Sequence, residues 1–275
     1  MKRASNIDRF AVIIGAMKCG TTSLFRYLCQ HPQVVGSSHK ELNYFANDDN
    51  WARGNTWYEE HFDFDPARHR VGLEASTHYT KQPMYPNAAE RMAQVDASFK
   101  LVYLVRDPIA RIESHLTHGV FKGWLGERKH IKDHPHVLAV SRYAYQLDAF
   151  LEHFPADDIL VVSLSELKQR PRAVVDRVLA HIGLEADFEL NTDSQHNSSR
   201  EKTVDRGLWR VLSKTGPLGQ ALPTGVRRFL GEGVERQVLS PDERAFVARE
   251  LADDMQRLRD EHGVDTDAWF ADVEA

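Results

Sequence analysis

One stretch near the start of the chain concentrates groups suited to binding phosphate. Gly15-Ala16-Met17-Lys18-Cys19-Gly20 runs directly into Thr21-Thr22-Ser23. The two glycines permit a tight turn and a close approach of backbone to a ligand. A helix starting at Thr21 would aim its first amides and the positive end of its dipole at an anion. The ammonium of Lys18 and the hydroxyls of Thr21, Thr22 and Ser23 add further donors. A strand-to-helix turn that only needs glycine requires none of these. The loop also departs from that of a nucleoside triphosphatase, where Lys follows the last Gly directly. Here Thr21 holds that place, Lys18 lies inside the loop, and the residues that would hold Mg²⁺ are out of pattern.

A second candidate lies further on. Arg106-Asp107-Pro108 follows the apolar run Lys100 to Val105, and Ser114 comes eight residues after Arg106. Asp107 suits a helix N-cap and Pro108 the first helical position. Ser114 then stands near two full turns into the helix and faces the same end. An Arg fork with a hydroxyl is a good clamp for a terminal phosphate. The alternative is a surface Arg beside a capped helix, with Ser on a core face.

These groups need elements that bring them together. Phe10 to Ile14 is apolar throughout and reads as a buried parallel strand. Leu24, Phe25 and Leu28 give the following helix an apolar face, and His31-Pro32 stops it. Short strands are expected at 33–36 and 71–74, a clear one at 100–105 and another at 158–163. Helices are expected from Pro108 through Ser114, at 139–153, from Pro171, and after the capping box Ser240-Pro241-Asp242-Glu243. Residues 119–136, rich in Gly, Lys and His, read as a long loop. Strands alternating with helices predict an α/β fold with one P-loop-like central parallel sheet flanked by helices. No boundary is visible, so the reading is a single domain over 1–275.

Composition narrows the partners. Of 275 residues, 42% are hydrophobic and 27% charged, an ordinary globular balance, and the net charge is −5. An acidic chain is a poor non-specific ligand for nucleic acid, so any phosphate site must be local. Cys19 and Cys29, the two cysteines, suggest neither a disulfide framework nor a zinc motif. The apolar stretch 11–17 is too short for a signal core or a membrane span, which predicts a cytoplasmic protein. His115, His118, His130, His134 and His136 match no metal-ligand spacing and read as solvated. Cys19, at a helix N-terminus, is expected to have a lowered pKa. His78 has a pKa suited to proton transfer, with an ordinary satisfied histidine as the alternative. Trp51, Trp57, Tyr58, Phe62 and Phe64 either wall a pocket or pack a core.

The loop Gly15 to Leu24 resembles the 5′-phosphosulfate loop of sulfotransferases that use 3′-phosphoadenosine 5′-phosphosulfate (PAPS), whose pattern is roughly G-x-x-K-x-G-T-[ST]-x-L. The resemblance is to bacterial members and to heparan-modifying domains. It runs from about residue 10 to the C-terminus, dense in four places and loose between. It implies a P-loop-like α/β fold, PAPS as donor, 3′-phosphoadenosine 5′-phosphate (PAP) as product, and no metal. It assigns Lys18, Cys19, Gly20, Thr21, Thr22 and Ser23 to the 5′ end of the donor, and Arg106 and Ser114 to its 3′-phosphate. A late basic loop would add Arg200 or Lys202, with a solvated polar loop the equal alternative.

Lys40-Glu41-Leu42-Asn43-Tyr44-Phe45 resembles the family's K-E-x-x-[YF]-F segment, which implies Glu41 as the base. The residues alone allow a surface Lys–Glu pair. Asn43 stands where heparan-type members often carry His. Gly72 to Tyr79 resembles G-E-[AK]-[ST]-P-x-Y, with Ala75 where Lys occurs and Thr77 where Pro is usual. Glu74 is expected to support the site from the strand end. Glu41, Lys18 and, as second base, His78 form the expected catalytic set. The acceptor is a small molecule, glycan or lipid, with an amine acceptor also open, and the oligomeric state is not readable. A P-loop kinase and a non-catalytic nucleotide-binding module are the competing readings.

Overall fold

The computed structural model describes residues 7–125, 130–192, 203–204, 232–233, 236–271 and 273. Its main sheet has five parallel strands: β1 (Arg9–Gly15), β2 (Val34–Gly36), β3 (Val71–Ala75), β4 (Ser98–Val105) and β5 (Ile159–Ser163). Their order is β2-β3-β1-β4-β5. Phe10 pairs with Gly72 on one side and Phe99 on the other. The apolar runs of β1 and β4 are needed because both strands are covered on both faces. A two-stranded pair, β6 (Thr203–Val204) and β7 (Glu232–Gly233), is separate.

The chain starts in the middle of the sheet and leaves it in opposite directions. α1 (Thr21–Leu28) connects β1 toward the β2 edge. α5 (Pro108–Lys122), α6 (Pro135–Ala139) and α7 (Tyr143–Leu151) connect β4 to β5. Right-handed crossovers in opposite directions place α1 and α7 on opposite faces. α1 packs with α9 (Pro171–His181), which follows the short α8 (Leu164–Gln169). On the other side α7 meets α4 (Ala88–Ala93) and the terminal α10 (Pro241–His262). Short helices α2 (Asp48–Trp51) and α3 (Gly54–Glu59) lie between β2 and β3. The expected α/β fold with a parallel sheet between helices is the observed one.

α10 begins with the expected capping box, Ser240 and Glu243 bonding reciprocally. It is fixed to α7 by Arg257 on Asp148 at 2.7 Å and by Asp254, which accepts the amides of Ala144 and Tyr145. The aromatic run resolves toward the core: Tyr58 and Phe62 are buried against Phe10, and Tyr44 stacks on Tyr58. Trp51, Trp57 and Phe64 pack half-buried against this cluster.

The expected loop 119–136 needs correction. α5 continues to Lys122 and stops at Gly123 in left-handed conformation, and α6 starts at Pro135. Gly119 reflects close packing rather than a loop, since a Cβ there would lie 2.7 Å from the Trp124 ring.

Candidate active site

The C-terminal edge of the sheet gathers four segments. β1 leads into the phosphate loop, β2 into residues 37–45, β3 into 76–81 and β4 into Arg106. Open parallel sheets bind ligands at this edge. Among the described residues three non-glycines have left-handed backbone: Lys18 at φ 73°, Glu41 at φ 63° and Asn43 at φ 52°. All three lie in these segments. Such conformations cost energy and persist where the surroundings over-determine them, often at functional sites.

The loop closes at Gly20, the N-cap of α1, with φ 91°, which side-chained residues rarely adopt. The amides of Gly20, Thr21 and Thr22 donate to no acceptor among the described residues. They stand at the positive end of α1, where an anion is stabilised. Arg106 is joined to the loop, its Nη1 donating to the Lys18 carbonyl at 3.3 Å. Its own carbonyl accepts the Tyr143 hydroxyl at 2.7 Å. Ser114 is half-buried on α5, two turns beyond the Asp107 cap. Arg106 therefore adjoins the phosphate loop.

Lys40, given no role in the sequence reading, spans the two halves of the site. Its Nζ donates to Thr21 Oγ1 at 3.2 Å and to Thr22 Oγ1 at 3.1 Å. The same atom lies 3.7 Å from Glu41 Oε1. Burial lowers the Lys40 pKa, and Glu41 opposes that shift.

Glu41 is held from several sides. The Thr77 amide donates to Oε2 at 2.8 Å, and the Thr77 hydroxyl lies 3.3 Å from both carboxylate oxygens. His78 Nδ1 is 3.7 Å from Oε2, beyond hydrogen-bond length but close enough for charge to be felt. The Glu41 amide donates to Ala75 O at 2.9 Å, and Asn43 Nδ2 donates to Glu41 O at 3.0 Å. Burial pushes the Glu41 carboxyl up. His78, Lys40 and the Thr77 amide outweigh burial and hold it below the usual carboxylate range. It is thus an ionised acceptor for a proton near neutral pH.

Glu74 lies behind it, fully buried, and accepts the Ser76 hydroxyl. Burial lifts its pKa to about 8 despite the Ser76 and Tyr79 hydroxyls. Glu74 is then neutral at pH 7, which leaves Glu41 as the charged member of the pair. Proline has no N–H. Thr77, in a position where the family pattern has Pro, therefore supplies a donor to Glu41 that Pro could not.

Two expectations are overturned. The Cys19 side chain turns into the core, 3.8 Å from the Tyr143 hydroxyl. Burial raises its thiol to about 11, against the pull of Arg111 and Arg106, so the helix start does not lower it. Its amide is used inside the loop, donating to Ala16 O at 3.2 Å. His115 is buried, not solvated. It faces Arg111 Nη1 at 3.2 Å, and burial and Arg111 together hold its pKa far below the ordinary value. Ser23 stands half-buried in the first turn of α1. Arg200, with Lys202, lies outside the described residues. Among the described residues no group of three His, Cys, Asp or Glu side chains is placed to hold a metal ion. No described helix is long and apolar enough to cross a membrane.

With this geometry in view, residues 8–211 match the sulfotransferase domain family. The chain belongs to that family. It is 30% identical over 178 residues to heparan sulfate glucosamine 3-O-sulfotransferase 5 of Mus musculus, covering 58% of this chain and 49% of that protein. It is 30% identical over 248 residues to heparan sulfate glucosamine 3-O-sulfotransferase 3A1 of Mus musculus, covering 80% of this chain and 58% of that one. The chain thus spans about half the length of these curated relatives. A solved sulfotransferase from Alicyclobacillus acidocaldarius shares the fold, with a TM-score of 0.67 and 24% identity over 94% of this chain and 97% of that one.

Proposed function

We propose that this chain transfers a sulfuryl group from PAPS to an acceptor hydroxyl. The observation that carries the reading is the position of Lys40, whose ammonium touches both threonines of the phosphate loop and faces Glu41. It sets a proton acceptor beside an anion cradle. The loop amides, Thr21 and Thr22 receive the 5′-phosphosulfate, and Arg106 with Ser114 receives the 3′-phosphate. The acceptor oxygen attacks sulfur, the bond from sulfur to the phosphate oxygen breaks, and PAP leaves with that electron pair. Lys18, Lys40 and the loop amides stabilise the charge gathering on the leaving oxygen. Glu41 takes the acceptor proton, with His78, 3.7 Å from its Oε2, as the second candidate base. The donor is already activated, so the transfer needs no metal, by analogy with in-line phosphoryl transfer.

We read the chain as a single sulfotransferase domain over 1–275, because α10, beyond the matched stretch, is fastened to α7 inside it. A glycan, lipid or small natural product fits as acceptor, and the heparan-modifying relatives favour a glycan. Two free cysteines fit a reducing, cytoplasmic setting. The test is turnover of sulfur-labelled PAPS with a pooled acceptor library in excess EDTA. Labelled acceptor and stoichiometric PAP are expected. Activity only with added Mg²⁺ or Zn²⁺, or no transfer to any class of acceptor, would overturn the reading.

A further inference from the structure

Lys81 is a largely buried cation with no polar partner for its ammonium among the described residues. It directly follows the turn 77–80 that anchors Glu41, and only 9% of its surface is exposed. Its ammonium makes no hydrogen bond and no ion pair among the described residues. Its backbone is fixed. The Lys81 carbonyl accepts Met84 N at 2.8 Å and Tyr85 N at 3.2 Å, and the next amide, Gln82 N, donates to Gln146 Oε1 at 2.8 Å. The side chain is thus buried from a rigid base.

Its electrical surroundings are unbalanced. On one side the charge of Glu41 reaches it, but that carboxylate is already engaged by Thr77 and Lys40. On the other side stand Arg111, His115 and His136. Arg111 is fully buried, and its partners are neutral: Ser141 Oγ at 2.7 Å, Val137 O at 2.6 Å and His115 Nδ1 at 3.2 Å. Lys81 therefore stands between a carboxylate already engaged elsewhere and the buried cation of Arg111. A buried charge is costly unless it is paired and hydrogen-bonded. Burial, with Arg111 adding to it and Glu41 opposing, brings the Lys81 pKa down to about 8, which agrees with an ammonium that has no partner among the described residues.

We propose that Lys81 is an oxyanion ligand on the acceptor side of the site. Its ammonium binds the charged oxygens of a sulfonate, sulfate or carboxylate lying against Glu41. Two sources supply that chemistry, the sulfuryl group of the donor and an anionic substituent of the acceptor. Only the choice between them rests on the sulfuryl-transfer reading.

The test is calorimetric titration of inorganic sulfate into the full chain, free, saturated with PAP, and saturated with PAPS. Wild type, Lys81→Met and Lys81→Arg are compared, with PAP affinity and melting temperature measured for each. Sulfate should bind the wild type, weaken roughly tenfold or more in Lys81→Met and recover in Lys81→Arg. PAP affinity should not change. Lys81→Met, which removes an unpaired buried charge at nearly constant volume, should melt at or above the wild-type temperature. Blocking of sulfate by PAPS but not by PAP would identify the donor sulfuryl as the natural anion. Competition by 4-hydroxybenzoate but not by phenol would identify an anionic acceptor. Lys81-dependent sulfate binding in a chain that fails to bind PAP would keep the anion site and remove the donor reading. Absence of saturable sulfate binding to the wild type would overturn the proposal. So would equal sulfate binding in Lys81→Met, or a Lys81→Met chain that melts lower and loses PAP.

Discussion

The proposed donor half and the proposed acceptor half of the site are built in different ways. The donor half rests on main-chain groups of contiguous segments, joined by the side chains of Lys18, Thr21, Thr22, Arg106 and Ser114. The turn at Gly20, the first amides of α1 and the Lys18 carbonyl held by Arg106 come from two contiguous segments on adjacent strands. The acceptor half is mostly side chain. Glu41, Thr77, His78 and Lys81 come from two loops, after β2 and after β3, which meet where the Thr77 amide donates to Glu41 and where Glu41 and Asn43 take left-handed backbone. A main-chain cradle tolerates drift in sequence and keeps one ligand. A side-chain assembly changes its ligand with each substitution. A fixed donor and a variable acceptor would follow from that division.

The sharpest way to break this comparison is to disable one half and look for damage in the other. Glu41→Gln keeps size and hydrogen bonding but cannot take a proton. It should lower kcat by roughly 10²- to 10⁴-fold with PAP affinity nearly unchanged. His78→Asn should cost about tenfold or less. If His78→Asn is the inactive variant and Glu41→Gln keeps most of its rate, the base has been misassigned. As pH falls through the lowered Glu41 pKa, kcat/KM should fall with it, and that acid limb should vanish in Glu41→Gln.

On the donor side, Arg106→Ala should weaken PAP by about 10- to 150-fold, the worth of roughly 1.5–3 kcal/mol. Adenosine 5′-phosphosulfate, which lacks the 3′-phosphate, should be little affected. Equal losses for both ligands would mean that Arg106 acts through the loop at Lys18 rather than on the 3′ end. Lys40→Met tests the bridge. Because Lys40 touches Thr21, Thr22 and Glu41 together, it should lose about tenfold in PAP affinity and also slow turnover. A change confined to one of the two would assign Lys40 to that half alone.

The smallest effect concerns stability. Glu74 is held near pKa 8 by burial, above its unfolded value. The folded chain then keeps a proton that the unfolded chain releases between about pH 4.5 and 8, so stability falls as pH rises through that window. Glu74→Gln should remove this slope. It should raise stability at pH 8 by about 1–3 kcal/mol, a few degrees in Tm, with little change at pH 4. A variant less stable at pH 8 would show that Glu74 is ionised in the fold.

The same division explains what was legible in the sequence. The strand, turn and helix start that carry the expected phosphate loop and Arg106 could be read because they are contiguous and each residue type has one local job. The sheet followed from the apolar runs of β1, β4 and β5 alternating with helical patterns. The proposed roles of Lys40, Thr77 and Lys81 could not be assigned by spacing, since they depend on which loops the fold brings together. A Lys–Glu pair and a Thr in a Pro position were the available signals. Cys19 and His115 were misread for one reason: position along a helix does not say which way a side chain points. Both point inward, where burial dominates their titration. Gly119 suggested a loop because composition cannot distinguish a flexible glycine from one pressed against Trp124.

Comparison of PAP with ATP and Mg²⁺ as ligands tests the donor assignment most directly. Each is titrated into the wild-type chain while unfolding is followed by heat. PAP at 100 times its Kd should stabilise the chain by about 2.7 kcal/mol, a shift of a few degrees, and the shift should shrink in Arg106→Ala. ATP with Mg²⁺ should bind far more weakly, lacking a 3′-phosphate for Arg106. Stabilisation by ATP with Mg²⁺ and none by PAP would contradict the assignment of the loop and Arg106 to a 3′,5′-bisphosphate donor.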